Sequence, residues 1–323
     1  MFFKRNARIL MTLMIALMLL FIWSNSLLGS ERSNALSGWV ERWLKPLIDP
    51  QGKIPDKTFD YDVRKLAHML EYALLGALLV FGTAQLKSRS LWTLLLVVLL
   101  AAVIDETIQF YTGRTSQLQD VWLDVSGAGI GMLLVYGVGC LAQKRESAQV
   151  VPKQVKRESA EISKSRKAWI AVACLLIAAT LGFIWGNSIK SRSESQLLSL
   201  SVLRWIRPLL DAIFSPENVT DHLVRKLAHF TEFGLLGAEL IWLTYLMRKQ
   251  RVQTVLNCLL AGLSAAAIDE TIQIFSARGS QAIDVLLDFG GVITGVIVVL
   301  LICLTISVRK KNRTTHKSRN MEI

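Results

Sequence analysis

The sequence has few charged residues and few cysteines, and each shortage excludes a class of protein. Charged residues occupy 19% of the 323 positions, below the roughly 25% that is typical of soluble domains. Apolar residues reach 52%, and the mean hydropathy is +0.41. A soluble multidomain protein is therefore excluded, and so is intrinsic disorder despite the net charge of +12. The four isolated cysteines exclude a disulfide framework and a zinc ribbon, and membrane packing accounts for them.

One long pattern occurs twice in the chain. RKLAH at 64–68 recurs at 225–229, and IDETIQ at 104–109 recurs at 268–273. Near the end of the first apolar run, Trp23, Asn25 and Ser26 return as Trp185, Asn187 and Ser188. So many polar matches in the same order indicate a tandem duplication. The basic stretch 143–167, with Pro152 and a doubled KRESA, is predicted to be a solvated linker.

Each copy contains four apolar runs that are long enough to cross a bilayer. They lie at 9–28, 64–86, 91–110 and 120–142, and again at 168–189, 225–247, 252–274 and 284–306. The first run resembles a signal peptide, but its internal equivalent at 168–189 predicts a retained helix. The sequence thus predicts an all-α integral membrane protein with eight transmembrane helices as two parallel four-helix repeats. The repeats are 1–142 and 168–306, with the linker 143–167 between them and a basic tail at 307–323.

Basic residues predict the orientation of these spans. The segments 1–8, 87–90, 143–167, 248–251 and 307–323 hold 22 of the 37 Lys and Arg residues but four of the 25 acidic ones. Positive charge accumulates on the cytoplasmic side, which predicts that both termini are cytoplasmic. The tail residues 309–319 are interpreted as an anchor on anionic lipid. The lipid bilayer is therefore the expected partner, and nucleic acid is not.

The two long outer loops, about 30–63 and 190–224, each contain an apolar stripe at helical spacing. Its members are Leu36, Trp39, Val40, Trp43, Leu44 and Leu47, and then Leu198, Val202, Trp205 and Leu209. Such a stripe fits either a helix in the outer headgroup region or a lid packed on the bundle. Pro46 and Pro208 are expected to end or kink these helices.

Polar residues inside the spans are grouped at what this topology makes the outer helix ends. In the first copy they are Arg64, Lys65, His68, Glu71, Asp105, Glu106, Gln109, Arg114, Asp120 and Asp124. In the second they are Arg225, Lys226, His229, Glu232, Asp269, Glu270, Gln273, Arg278, Asp284 and Asp288. Charged groups persist in a membrane when they pair or face a wet cavity. Each group is therefore either an ion-pair network that joins three helices or a polar pocket that opens outward.

More specific chemistry has weaker support in the sequence. No metal site is expected, because each polar group contains one histidine, His68 or His229, and its Glu follows at i+3, a poor ligand spacing. No cofactor motif or nucleophile motif is present, although His68 and Glu71 or Asp105 could form an acid–base pair. The Gly127/Gly131 pair and its repeat, Gly291/Gly295, are predicted to permit close helix packing. Glu239, where the first copy has Leu78, is the one acidic residue predicted near a midplane.

Three ordered blocks carry a resemblance to a known family. RKLAHMLEY at 64–72, DETIQFYTGR at 105–114 and DVWLDVSGAGIG at 120–131 resemble the signature blocks of the VanZ-like membrane proteins. RKLAHFTEF, DETIQIFSAR and DVLLDFGGVITG resemble them again in the second copy. Members often have His where this chain has Ile108 and Ile272, and Pro-Gly-Arg where it has Thr112-Gly113-Arg114 and Ser276-Ala277-Arg278.

The resemblance implies a bacterial plasma-membrane protein, and the family's namesake is linked to low-level teicoplanin resistance. The expected function is binding of a cell-envelope component, a cell-wall precursor or a lipophilic glycopeptide, which lowers glycopeptide susceptibility. One alternative is an enzyme on a lipid-linked or cell-wall substrate, with His68 and His229 as acid–base groups. The other is a secondary transporter, whose coupling residue would be Glu239.

Overall fold

A computed structural model describes residues 2–28, 30–83, 90–114, 116–146, 164–212, 219–247, 252–276 and 278–319. Among these residues the chain is helical throughout its regular structure and has no strands. The described residues form two compact units. Helices α1–α5 make up the first copy, and helices α6–α10 make up the second.

The helices of the first copy follow the predicted spans with longer ends. They are α1 (Phe2–Leu27), α2 (Ser30–Ile48), α3 (Asp56–Thr83), α4 (Leu91–Tyr111) and α5 (Leu118–Glu146). Helix α3 begins eight residues before the predicted run 64–86, because the amides of Thr58 and Phe59 bond to the Pro55 carbonyl. Asp56 in its first turn complements the positive helix end. Residues 84–86 of that run lie outside the described residues.

The second copy repeats this order of helices. They are α6 (Lys164–Ser188), α7 (Arg192–Leu210), α8 (Asp221–Leu246), α9 (Val252–Phe275) and α10 (Ala282–Arg319). Helix α7 starts with a capping box between Ser191 and Glu194, and hydrogen bonds from Ser191 lower the pKa of Glu194. Helix α10 continues through most of the predicted tail 307–323, so the basic segment extends the last span as a helix.

Seven helices in the described residues are long and apolar enough to cross a membrane, namely α1, α3, α4, α5, α6, α9 and α10. Their extent establishes an all-α integral membrane protein. Helix α8, which contains the predicted span 225–247, is not among the seven. Glu232 and Glu239 interrupt its apolar stretch, whereas the equivalent α3 has Leu78 in place of Glu239. The number of eight spans therefore stays a prediction.

Helices α2 and α7 bear the two apolar stripes, and much of each stripe is exposed. Trp39 is 64%, Trp43 69% and Trp205 89% exposed. Another face of α7 packs on α8 through Leu203 and Leu210, which form a small buried cluster with Val219 and Val224. Exposed tryptophans on a helix that is anchored by its other face fit the headgroup interpretation better than the lid. Each helix ends two residues after its proline, Pro46 or Pro208.

Close helix contacts hold each copy together. A Cβ atom added at Gly131 would collide with the carbonyl oxygen of Ala73, and one at Gly295 with that of Gly234. The two glycines therefore let α5 approach α3, and α10 approach α8, at backbone distance. This confirms the packing role predicted for the repeated Gly-x-x-x-Gly pairs.

Helices α4 and α9 occupy the most enclosed position of each copy. Alanines at 101–102 and 265–267 are at most 6% exposed, which allows neighbouring helices to pack tightly around them. The indole of Trp23 donates to the Ala101 carbonyl at 3.4 Å, and that of Trp185 to the Ala265 carbonyl at 3.5 Å. The first apolar run of each repeat, 9–28 or 168–189, is thus packed within its unit.

Candidate functional site

The predicted polar residues of each copy lie at one end of its helices. In the first copy they come from the N-terminal half of α3, the C-terminal end of α4, the connecting loop and the start of α5. Thr112 donates its hydroxyl to the Ser26 carbonyl at 3.1 Å, which places the end of α1 beside the same loop. Helix α1 ends beside this loop and therefore begins at the opposite end of the unit. Helix α5 begins beside the loop and therefore ends at that opposite end as well. The second copy has the same arrangement, with a 2.9 Å bond from Ser276 to the Ser188 carbonyl.

Ion pairs account for some of the predicted residues. Lys65 contacts Asp120 at 2.6 Å, and Lys226 contacts Asp284 at 2.7 Å, which joins α3 to α5 and α8 to α10. Arg64 pairs with Asp60 at 3.0 Å one turn earlier, and Arg225 pairs with Asp221 at 3.3 Å. This part of the site behaves as the ion-pair network that the sequence left as an alternative. The residues Asp60 and Asp221 were not predicted.

Six carboxylates lie almost completely inside the two copies. Asp105, Glu106 and Asp124, with their equivalents Asp269, Glu270 and Asp288, are each at most 2% exposed. Gln109 donates to Asp105 Oδ2 at 3.1 Å, and Gln273 donates to Asp269 Oδ2 at 2.9 Å. The Gln117 amide donates to Glu106 at 2.9 Å. These bonds orient the carboxylates but leave several of their oxygens without a protein donor.

Each histidine faces carboxylates from two other helices. His68 Nδ1 lies 3.8 Å from Asp105 Oδ2, and His229 Nδ1 lies 3.8 Å from Asp269 Oδ2 and 3.7 Å from Asp288 Oδ2. In each copy, one ligand atom from the His and from each of the two Asp residues lie within 4.8 Å of one another. The sequence argument against a metal site considered the nearby Glu71 as the second ligand. It missed this grouping because the three helices meet only in the folded chain.

The end of the first helix contributes polar groups that the sequence analysis did not assign to the pocket. Asn25 donates to Glu71 Oε1 at 3.0 Å, and Ser26 is completely buried. In the second copy, Asn187 Oδ1 instead accepts from Lys190 at 2.9 Å, and the Asn187 carbonyl accepts from Arg278 at 3.2 Å. The signal for these residues was present, since Asn25 and Ser26 are polar positions repeated in both copies.

A cavity of about 80 Å³ opens between α3, α4 and α5 of the first copy. Eight of the predicted residues line it, together with Tyr61 and Leu123; the eight are Arg64, Lys65, His68, Glu106, Gln109, Arg114, Asp120 and Asp124. Glu71 and Asp105 are not in its lining. Glu71 faces α1, and Asp105 lies completely buried. The lining contains three cations and three carboxylates.

The second copy has a larger cavity, of about 320 Å³, beside α6, α7 and α8. Four predicted residues line it, namely Arg225, His229, Glu232 and Arg278. Lys190 adds a third cation, and the other lining includes Phe183, Leu198, Val202 and Val224. The cavity therefore combines an apolar wall with three cations and one carboxylate. The predicted residues Lys226, Asp269, Glu270, Gln273, Asp284 and Asp288 are not in its lining.

The loop arginine of each copy is positioned by its own backbone. The Arg114 amide donates to the Gln109 carbonyl at 3.0 Å, and the Arg278 amide donates to the Gln273 carbonyl at 3.1 Å. Burial lowers the pKa of both guanidinium groups, although nearby carboxylates oppose this effect. Gly113 has φ +72°, whereas the equivalent Ala277 lies outside the described residues. The presence of Ala277 where the first copy has Gly113 predicts a different loop backbone in the second copy, and this stays a prediction.

Glu239 has a hydrogen-bond partner inside the second copy. Thr180 on α6 donates to its Oε1 at 3.0 Å, and Glu239 is 7% exposed. The equivalent positions of the first copy are the apolar Met18 and Leu78. Thr180 and Glu239 thus occur together in the second copy, and neither polar residue is found at the equivalent position of the first. This contact joins α6 to α8 through the side chain of Glu239.

Comparison with known proteins gives a single assignment. Neither the curated proteins nor the solved structures include a significant match. A family model described as VanZ/LLP1 matches residues 9–141 and again residues 168–304. These two stretches contain every residue of the two polar clusters and cover most of the chain. The chain therefore belongs to the VanZ/LLP1 family and carries two copies of its domain.

Proposed function

We propose that this protein binds an amphipathic, anionic component of the cell envelope in its polar pockets, and thereby lowers susceptibility to teicoplanin-type glycopeptides. The component is a lipid-linked cell-wall precursor, and the protein resides in the bacterial plasma membrane with both termini in the cytoplasm. The observation that carries this proposal is the cavity of the second copy, which joins an apolar wall to a cationic end.

The lining of that cavity matches the two parts of such a ligand. Phe183, Leu198 and Val202 offer an apolar surface that suits a hydrocarbon chain. Lys190, Arg225 and Arg278 offer charged donors that suit phosphate oxygens, because guanidinium and ammonium groups form strong charge-assisted hydrogen bonds. With Glu232 as the one carboxylate in the lining, the balance favours an anion over a cation.

The location of the pockets agrees with a ligand from the outer leaflet. Each pocket lies at the helix ends opposite to those where α1 and α6 begin. The basic segments predicted to be cytoplasmic include both of those starting ends, so the positive-inside rule directs the pockets outward. Helix α7 lines the cavity with Leu198 and Val202 while Trp205 is exposed, which supports access from the headgroup region.

A binding experiment tests the anionic part of the proposal. The full-length protein in nanodiscs would be titrated with a polyprenyl phosphate, with the uncharged polyprenol as the comparison ligand. We expect Arg225→Gln/Arg278→Gln to weaken binding of the phosphate by about 100-fold or more, because two charge-assisted bonds of roughly 1.5–3 kcal/mol each are lost. Arg207→Gln is the matched control, since Arg207 lies on α7 outside the cavity lining. Equal affinity for phosphate and alcohol would contradict the proposal.

A susceptibility experiment tests the biological part. The wild type and the same variants, at equal membrane levels, would be expressed in a sensitive Gram-positive host and exposed to teicoplanin and to vancomycin. We expect the wild type and Arg207→Gln to raise tolerance to teicoplanin, and Arg225→Gln/Arg278→Gln to lose this effect. Protection by all three forms alike would show that the pocket is not involved.

A membrane enzyme that acts on the same class of lipid is the second candidate. The observation that favours it is the approach of His68 to Asp105 and of His229 to Asp269, each at 3.8 Å. A histidine beside a carboxylate is suited to proton transfer. Mass spectrometry of the polyprenyl substrate after incubation would distinguish the candidates, since an enzyme changes the mass of the recovered lipid and a binding protein does not.

A further inference from the structure

Each copy contains one group of three side chains that is suited to a metal ion. The groups are His68, Asp105 and Asp124, and then His229, Asp269 and Asp288. The side chains come from three different helices, and one ligand atom of each lies within 4.8 Å of the other two. None of the contacts described for the proposed lipid pocket accounts for this convergence.

A buried carboxylate of the first group accepts no hydrogen bond. Both oxygens of Asp124 are without a hydrogen-bond partner among the described residues, although Asp124 is 1% exposed. In the second copy the equivalent Asp288 is also 1% exposed, and its Oδ2 faces His229 Nδ1 at 3.7 Å. A buried carboxylate without a donor or a cation is costly, so Asp124 calls for a partner.

The basic residues on the neighbouring turns already have other partners. Lys65 pairs with Asp120 at 2.6 Å, and Arg64 pairs with Asp60 at 3.0 Å. Lys226 pairs with Asp284 at 2.7 Å. These side chains therefore do not neutralise the two groups, and an ion would add to the positive charge of the loop arginines Arg114 and Arg278 near them.

We propose that each copy binds one divalent transition-metal ion through its histidine and two aspartates. One imidazole nitrogen and two carboxylate oxygens form a donor set suited to Zn²⁺, Mn²⁺ or Fe²⁺. Ligand atoms about 2.1 Å from a tetrahedral zinc ion lie roughly 3.4 Å apart. Small side-chain rotations can bring the three atoms from within 4.8 Å to that spacing.

The surroundings orient the ligands and provide access. Gln109 and Gln273 donate to Oδ2 of Asp105 and Asp269, at 3.1 and 2.9 Å, and thereby hold in place the oxygen that faces the histidine. His68 and Asp124 line the cavity of the first copy, which provides an entry path. Three protein ligands leave a coordination position open, and that position would face the cavity.

Metal analysis of the purified full-length protein tests the inference. The protein would be produced without a histidine tag, stripped with a chelator and reloaded with Zn²⁺. Elemental mass spectrometry would then give the number of zinc ions per chain. We expect about two ions per chain, about one in Asp124→Asn or in Asp288→Asn, and none in the double variant. Reloading with Co²⁺ should give visible ligand-field absorption that the double variant lacks, which distinguishes a coordinated ion from one adsorbed on the surface.

Glu239→Gln is the matched control, because it also neutralises a buried carboxylate but lies outside both groups. It should keep two ions, and circular dichroism should show that all variants are folded. The inference is overturned if the wild type retains no zinc, or if the double variant retains as much as the wild type. The metal inference is independent of the lipid proposal. Arg225→Gln/Arg278→Gln should keep both metal ions, and its effect on lipid binding tests the lipid proposal alone.

Discussion

The two copies have the same polar core but different rims, where the rim means the side chains that surround this core. The histidine, the paired lysine and the buried carboxylates occupy equivalent positions with nearly equal distances, such as 3.8 Å from His68 to Asp105 and from His229 to Asp269. Around this core, Leu28 of the first copy corresponds to Lys190 of the second. The comparison teaches that the carboxylate–histidine core does not require one particular rim.

The rim difference changes the contacts of an equivalent asparagine. Asn25 donates to Glu71 in the first copy, whereas Asn187 accepts from Lys190 in the second. The first cavity lining has equal numbers of cations and carboxylates, and the second has three cations and one carboxylate. We therefore expect the second copy to bind anionic lipid more tightly than the first.

The largest expected effect concerns the scaffold that both copies share. Gly131→Leu and Gly295→Leu should each prevent close approach of two helices, because the added side chain collides with a backbone carbonyl. Overpacking of this kind costs about 1–3 kcal/mol or more, and we expect little folded protein in detergent. Gly129→Leu is the control, since no atom lies within 4 Å of its added Cβ. Normal yields of both variants in size-exclusion chromatography would disprove the packing role.

An exchange of rim residues should change ligand binding next most strongly. Lys190→Leu gives the second copy the residue of the first, and should weaken binding of a polyprenyl phosphate about 10-fold, since one charged donor is lost. Leu28→Lys is the reciprocal change, and should strengthen binding by the first copy. Titration of each variant in nanodiscs measures both. If neither exchange alters affinity, the rim does not distinguish the copies.

Loss of the buried hydrogen bond between Thr180 of α6 and Glu239 of α8 should have a smaller effect, on the stability of the second copy. Thr180→Met removes the donor to Glu239 and should lower the free energy of unfolding by about 1 kcal/mol, the scale of hydrogen bonds between membrane helices. Thr180→Met with Glu239→Leu recreates the apolar pair of the first copy and should recover that loss. Thermal unfolding of the single and double variants forms a double-mutant cycle. Additive effects would show that the two residues are not coupled.

The smallest expected effect concerns the loop between α2 and α3. Asp49 accepts from the amides of Ile54 at 2.6 Å and Lys53 at 3.0 Å, and these bonds lower its pKa, that from Ile54 most strongly. A lowered pKa means that this local stabilisation is present above the ordinary carboxyl pKa, about 4, and is lost as the pH falls through the lowered value.

Asp49→Ala should therefore speed hydrogen exchange at both amides at neutral pH. The equivalent Asp211 instead lies 3.6 Å from Arg207, so Asp211→Ala is the comparison for the second copy. Hydrogen-exchange mass spectrometry of the peptides that contain these positions measures the change. Unaltered exchange at Lys53 and Ile54 would show that other contacts hold this loop.

The sequence predicted most of the fold because the signals for it are local. Apolar runs of sufficient length and the repeat located the helices to within a few residues at most ends, as for α4 at 91–111 against the predicted 91–110. The start of α3 was missed by eight residues, since Pro55 and Asp56 begin the helix in a polar stretch that carries no membrane signal. The continuation of α10 beyond 306 was missed for the same reason.

The candidate site was predicted only in part. Helical spacing placed His68 on one face with Arg64, and the repeat drew attention to the carboxylates. Spacing along one helix could not reveal that His68 meets Asp105 and Asp124, which lie on other helices. It also could not show that Asn25 reaches Glu71 from α1.

By itself, the sequence determined that the chain is a duplicated membrane protein, because hydropathy and repetition are properties of residue order. Only the tertiary structure decided which polar residues pair and which remain unpartnered. Lys65 is matched with Asp120 at 2.6 Å, whereas neither oxygen of Asp124, one turn further along α5, accepts a hydrogen bond from the part of the chain that the structure describes. The physical reason is that pairing depends on how neighbouring helices are rotated and spaced. Those quantities are set by contacts such as Gly131 against Ala73, between residues far apart in the chain.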